Sequence, residues 1–397
     1  MASKFFFRLI LVAFLSSQLD AHQRSESYSK ITIETTEDSY SIEKIFTVQL
    51  SVLSKMGWPQ YSNWQERLSL HLVGEFSSGT NCNLEAQPRI LSSQSTGYFR
   101  LFWKEICGGQ FKELTNNVFF DEDSSHAHIS TLTFDGLIYP EKLFTSQSRL
   151  WKVNHQENQQ DTPNSSILDY FLLGLEHISS GYDHIAFLLG IILLNRRIKP
   201  LLIAVTGFTV GHSVTLLLGA MNIVSPSTGF VESLIGYSIF LIGLEYICRQ
   251  TKQHFFYSKF FLLAFPLFLI FYTQYSNSTY LIGLVGVGLF TISYLLLINR
   301  LKGINLSILV TSLFGLVHGF GFSGSLSEIN LPPDRLFQAL LGFNLGVEVG
   351  QLVIIIGVLG LSLVFLNTKQ EHLKTLRLIA ASFLVTLGTY WFLGRIF

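Results

Sequence analysis

The chain is 397 residues long and carries 27 basic and 27 acidic side chains, yet it is 48% hydrophobic with a mean hydropathy of +0.39. That is too apolar for an ordinary soluble protein, and no basic stripe with interleaved aromatics appears in its polar half, so nucleic acid is not an expected partner. The charge is uneven: residues 22–166 hold 12 Lys and Arg against 17 Asp and Glu, whereas residues 167–397 hold 13 against 9.

Residues 1–21 read as a secretory signal, with Lys4 and Arg8 at the positive end, a short apolar core LILVAFL, and the small Ala21 at the cleavage point. Residues 22–153 are then expected to form an exported domain. Alternating apolar residues in KITIET, KIFTVQLSVL, RLSLHLVGEF, GYFRLFWKEI and HAHISTLTFDGLIY predict an antiparallel β-sandwich. Export implies an oxidising compartment, so Cys82 and Cys107 are expected to form a disulfide, with Cys248 a bystander in a later span. Cleavage after Ala21 would leave His22 as a chelating amino terminus. His126 and His128 fall on one side of a strand after Asp121, Glu122 and Asp123, a second candidate for metal capture. The polar run 154–166, interrupted by Pro163, reads as a linker.

Apolar stretches near 167–195, 200–221, 228–248, 258–275, 279–298, 304–325, 336–366 and 376–394 are long enough to cross a bilayer, giving seven to eight expected spans in an α-helical membrane bundle over 167–397. An exported amino terminus would put loops 196–199, 249–259, 299–303 and 367–377 in the cytosol. Those loops hold eleven Lys and Arg, among them Arg196, Arg249, Lys302 and Arg377, while only Arg335 and Arg395 fall on the other side. This asymmetry supports both the span count and the export of the amino-terminal domain. Gly315 and Gly319, and Gly342, Gly346 and Gly350, recur every four residues and predict close helix packing.

Ionisable residues inside those spans are the strongest functional signal, because each costs roughly 2.5–3.5 kcal/mol at the bilayer centre even on the lenient scale. His177, Asp183 and His184 lie in the first span, His212 in the second, His318 in the sixth and Glu348 in the seventh. Imidazole with carboxylate suits divalent transition metals. His177 and His184 are seven apart and return to one helix face within about 20°, whereas Asp183 sits about 100° around. Either Gly181 marks a break that brings Asp183 in, or Asp183 bonds to an imidazole on another helix. Asn344, Glu348 and Gln351 form one polar stripe of supporting groups, and Glu232 opens the third span.

The order HISSGYDH, FTVGHSVTL, FGLVHGFGFSG and GFNLGVEVGQL resembles the HupE/UreJ family of bacterial membrane proteins, in the form with an exported amino-terminal domain, over roughly residues 167–366. The H-x5-D-H run of His177, Asp183 and His184 is similar to the His/Asp signature of nickel/cobalt permeases, which is one residue shorter. The resemblance implies a permease for nickel or a related divalent metal, with membrane lipid and metal ion as its partners and His177, Asp183, His184 and His318 as ligands. Relatives assigned to nickel often carry a second His after the His-Gly pair, where this chain has Phe320 and Gly321. The rival readings are an intramembrane zinc hydrolase using Ser213 or Ser323, and a non-transporting membrane accessory protein. Gly321-Phe322-Ser323-Gly324 matches the G-x-S-G of rhomboid proteases, but the only later histidine is His372 in an expected cytosolic loop, so no enzyme of that type is expected.

The loop charges make a topological prediction. A reporter fused after Lys252 or Lys302 is expected in the cytosol and one fused after Asn277 outside, and an external reporter at Lys302 would remove the eight-span arrangement.

Overall fold

The computed structural model describes residues 25–153 and 167–397, apart from residues 61, 80, 93–96, 110, 125, 196, 222, 277–278, 298–305, 328–332 and 364–369. The expected signal 1–21, His22 and the expected linker 154–166 lie outside the described residues, as do the loop positions Arg196, Asn277 and Lys302.

Ten strands form two sheets among the described residues. They are β1 (Glu26–Thr35), β2 (Ser39–Gln49), β3 (Phe76–Ser77), β4 (Cys82–Leu84), β5 (Arg89–Leu91), β6 (Tyr98–Gly108), β7 (Glu113–Asn116), β8 (Ala127–Phe134), β9 (Leu137–Phe144) and β10 (Leu150–Lys152). The larger sheet runs β4-β6-β2-β1-β8-β9 with β5 also on β6, and the smaller runs β10-β7-β3. Both contribute to one apolar core, in which Ile31, Phe46 and Trp103 meet Phe76, Leu114 and Trp151.

Two expectations are corrected here. The larger sheet is mixed rather than antiparallel, because β1 and β8 run parallel with Ser27 opposite His128. Some ninety residues separate those strands, ample for the crossover that parallel neighbours need. The second correction is RLSLHLVGEF, expected as a strand, which lies in helix α2 (Trp64–Glu75), after a short helix α1 (Leu50–Lys55) that takes up SVL. The alternating positions in that run are leucines, strong helix formers with no β-branch. Leu68 and Leu72, one helical turn apart, are buried while Leu70 between them is 68% exposed.

A buried lysine joins the layers. The Lys44 Nζ donates to the Phe76 carbonyl at 2.7 Å and pairs with Glu105 at 3.1 Å, and Glu105 also accepts from Trp103 Nε1 at 2.7 Å and Ser78 Oγ at 2.5 Å. Burial pushes the Lys44 ammonium down to about 8 against the pull of Glu105. Cys82 and Cys107 face each other across β4 and β6 and are joined by a disulfide.

The helical part comprises α3 (Ile167–Ser180), α4 (Tyr182–Leu194), α5 (Ile198–Ala220), α6 (Thr228–Thr251), α7 (His254–Tyr275), α8 (Leu281–Leu297), α9 (Leu306–Ser327), α10 (Pro333–Leu363) and α11 (Gln370–Ile396). Each expected apolar stretch coincides with one helix, except the first, which is α3 and α4 together. Among the described residues, α5, α6, α7, α10 and α11 are each long and apolar enough to cross a membrane, and the pair α3 and α4, bent by 73°, makes a sixth candidate. α8 and the stretch Ile308–Phe322 of α9 are shorter apolar helices. The chain is a membrane protein with an amino-terminal mixed-sheet domain.

Glycine backbones set the helix contacts. A methyl group at Gly315 would overlap the Phe208 carbonyl, one at Gly319 the His212 carbonyl, and one at Gly346 the Phe171 carbonyl. Pairs α5–α9 and α3–α10 therefore approach backbone to backbone, which only small residues permit in lipid. The sheet domain rests on the ends of these helices. Tyr28, Ala127 and Ile129 share an apolar cluster with Tyr170, Leu173 and Phe343, and the Tyr170 hydroxyl donates to Glu141 at 2.7 Å.

His126 and His128 do not form the candidate capture site, nor are they solvated. Both are completely buried. Their ring nitrogens lie 2.7–2.9 Å from the hydroxyls of Ser25, Ser27 and Ser29, so all four nitrogens are taken by the parallel β1–β8 pairing. Burial, helped by the neighbouring His126, holds the His128 imidazole well below the usual range. The unfolded chain therefore takes up a proton at His128 near pH 6.5 that the folded chain refuses, and stability falls as the pH drops below about 6.5. Unfolding midpoints measured at pH 7.5 and 5.5 are expected to differ less in His128→Gln than in the unsubstituted protein, and an equal drop in both would overturn this assignment.

Candidate metal centre

Gly181 organises the site. α3 ends at Ser180, Gly181 takes an extended conformation, and α4 begins at Tyr182 in a new direction 73° away. In one continuous helix, residues seven apart share a face but stand about 10 Å apart along the axis. The expectation of a common helix face is thus corrected: the bend, rather than the face, brings the His177 and His184 rings to 4.7 Å between centroids. Gly181 has no spare room, because a methyl group there would lie 2.8 Å from both the His177 carbonyl and His184 Nδ1.

α5 supplies His212, packed where glycines let α9 close in. One ring nitrogen each from His177, His184 and His212 lie within 4.8 Å of one another, a spacing that small side-chain rotations convert to a common ion at about 2.0–2.1 Å per bond. Asp183 Oδ1 lies 3.0 Å from His184 Nδ1. A carboxylate can only accept, so Nδ1 carries the proton and His184 Nε2 keeps its lone pair, buried and without a partner among the described residues. Asp183 Oδ2 is likewise buried without a hydrogen bond, and the buried His212 ring has the Asn344 side chain beside it. His318 on α9 is adjacent, its ring 5.2 Å from His184, but its nitrogens are not in the three-nitrogen group.

The other expected residues occupy the surroundings. Asn344 lies beside the His212 ring, and its Nδ2 donates to the Leu340 carbonyl of its own helix at 2.8 Å. Gln351 Oε1 accepts from Thr209 Oγ1 at 2.9 Å, and Glu348 Oε1 accepts from Thr206 Oγ1 at 2.8 Å, so the stripe on α10 pairs with a matching stripe on α5. Glu232 stands apart from the group, with the Arg395 guanidinium 3.8 Å away. The sequence reading missed the walls and one polar contact. Phe187 and Phe208 flank His318 at 5.0 Å, Phe322 and Phe343 flank His177 at 5.1 and 5.2 Å, and Ser238 on α6 reaches His318 Nε2 at 3.0 Å. Nothing in an apolar run rich in Phe and Ser distinguishes those members beforehand.

The Ser213 hydroxyl donates to the Thr209 carbonyl of its own helix at 2.7 Å, and His372 is exposed at the start of α11. The Ser323 side chain lies outside the described residues. Cys82 and Cys107 cluster with Glu105, but their sulfurs are bonded to each other and Glu105 is engaged by Lys44.

Comparison with known families adds an independent finding. The profile described as HupE / UreJ protein matches residues 153–273 and 278–395, which is more than half of the chain and includes every helix of the bundle. The sheet domain before residue 153 is outside that match. No curated protein matches the chain.

The tight fit around Gly181 yields a direct test. Gly181→Ala is expected to weaken divalent-metal binding to the purified protein by at least about tenfold, the cost of displacing a ligand's support, whereas Gly286→Ala, where nothing lies within 4 Å, leaves it unchanged. Equal calorimetric affinities for the two variants would show that the bend does not position the site.

Proposed function

The chain belongs to the HupE/UreJ family, and from that premise we propose that it is a permease of the bacterial inner membrane for a divalent transition metal, nickel or a close neighbour. The observation that carries this reading is the convergence of His177, His184 and His212 within a bundle of apolar helices. A neutral imidazole set without thiolate is selective for borderline divalent cations over the hard ions that prefer oxygen. The cation is the cargo here. The buried Asp183 carboxylate next to His184 offsets its charge, and Glu348 adds a second carboxylate on α10.

Structural duty alone is a poor reason for these groups. Ser, Thr or Asn could join helices by hydrogen bonds at lower desolvation cost, and a purely structural set would close its own hydrogen bonds. Here several buried acceptors stay open. The positively charged loops favour an orientation with the sheet domain in the periplasm, where it would stand over the outer ends of α3, α9 and α10. The family is linked to accessory as well as transport roles in metal handling, and the two separate experimentally.

His177→Ala and His184→Ala are expected to abolish accumulation of radioactive nickel or cobalt by metal-limited cells while the protein stays inserted and abundant. Gln351→Ala, which removes the partner of Thr209, should reduce uptake by a few fold only. Normal uptake by His184→Ala would place the site elsewhere. Metal binding by the purified protein with no uptake by cells expressing it would assign an accessory role instead.

A further inference from the structure

We propose that Ser238 is a positioning residue: it locks His318 as the Nε2–H tautomer and so keeps the Nδ1 lone pair free beside His184, from where a turn of the ring brings it as a fourth nitrogen to the cation held by His177, His184 and His212. This rests on the metal-permease reading above and extends it to a side chain on α6, a helix that contributes none of the three clustered imidazoles. The derivation begins with proton counting at one hydroxyl. Ser238 Oγ lies 2.7 Å from the Ile235 carbonyl oxygen and 3.0 Å from His318 Nε2. A hydroxyl has one proton to give, and a carbonyl oxygen has none to return. The shorter contact therefore takes the Ser238 proton, and His318 Nε2 must be the donor in the longer one.

With Nε2 protonated, the neutral His318 ring carries its lone pair on Nδ1. That atom is buried and has no hydrogen-bond partner among the described residues. An imidazolium would instead place an unaccepted N–H in the apolar interior, which is the costlier state. Phe187 and Phe208, each with its ring centre 5.0 Å away, line the apolar pocket in which the His318 ring sits. At His184 the complementary choice is made by Asp183, which takes the Nδ1 proton and leaves Nε2 open. Two adjacent rings, 5.2 Å apart and nearly perpendicular, are thus held in opposite tautomers by two different partners. Each has one lone pair left inside the bundle, and a shared cation accounts for both.

The test titrates the purified full-length protein in detergent with Co(II), reading affinity by calorimetry and coordination by the visible Co(II) absorption. Ser238→Ala is expected to weaken binding by about 10–100-fold, as loss of a ligand's hydrogen-bond partner does elsewhere, and to shift the Co(II) bands to those of His318→Ala. The double variant should bind no more weakly than His318→Ala alone, because Ser238 acts only through that ring. A Ser238→Ala protein with the unaltered spectrum and affinity would overturn the inference, and so would an additional loss in the double variant. His184→Ala separates the two levels. If it still binds Co(II) normally, the underlying metal reading has failed; if it loses binding while Ser238→Ala does not, only the fourth nitrogen has.

Discussion

The bend at Gly181 is the constraint on which the rest of the centre depends. Without it, His177 and His184 would be stacked along one helix, too far apart for a single ion. With it, the end of α3 and the start of α4 fold their imidazoles together. The bend exists because Gly181 leaves the space that the His177 carbonyl and His184 Nδ1 occupy. The same economy of volume operates one shell further out. α5 and α9, and α3 and α10, touch backbone to backbone at Gly315, Gly319 and Gly346, so His212 and His318 arrive at the cluster on helices already drawn inwards.

Two sets of buried histidines in this chain show how environment decides a side chain's role. In the sheet domain, His126 and His128 are surrounded by serine hydroxyls on β1, and every ring nitrogen has a partner. That ladder is closed, so it joins strands and offers nothing to a ligand. In the bundle, His184 and His318 each keep one nitrogen open, and His212 has only the Asn344 side chain beside its ring. Leaving such atoms unpaired in an apolar interior costs free energy, roughly 1–3 kcal/mol per group in proteins. A cation that takes one lone pair from each ring would relieve part of that cost.

The sheet domain and the bundle meet over this centre. Tyr28 and Ile129 share an apolar cluster with Phe322 and Phe343, which stack on one another at 4.7 Å and flank His177. Tyr170 anchors α3 to the domain through Glu141. The helix carrying His177 is thereby fixed at its start by the sheet domain and ended by Gly181. Within the domain, Lys44, paired with Glu105 on the larger sheet, donates to the Phe76 carbonyl of β3 and so ties the two sheets together.

Much of this was legible from residue type and spacing. Apolar length marked each helical stretch, export chemistry paired Cys82 with Cys107, and the cost of ionisable groups in lipid singled out His177, Asp183, His184, His212 and His318 before any packing was known. Gly181 was visible as a possible break. Sequence periodicity misjudged RLSLHLVGEF, where alternating leucines satisfy period 2 and one face of a helix equally well, and burial of Leu68 and Leu72 alone decides between them. It also overrated His126 and His128, because a His-x-His pair looks the same whether it faces water or a row of serines from a strand about a hundred residues earlier. Local sequence therefore determined which groups had to be sheltered and which apolar segments of residues 167–397 were helical. Only the tertiary structure decided which of them converge, with Glu232 drawn aside to Arg395 and Ser238 brought in from α6, because convergence depends on backbone approach between helices distant in the chain.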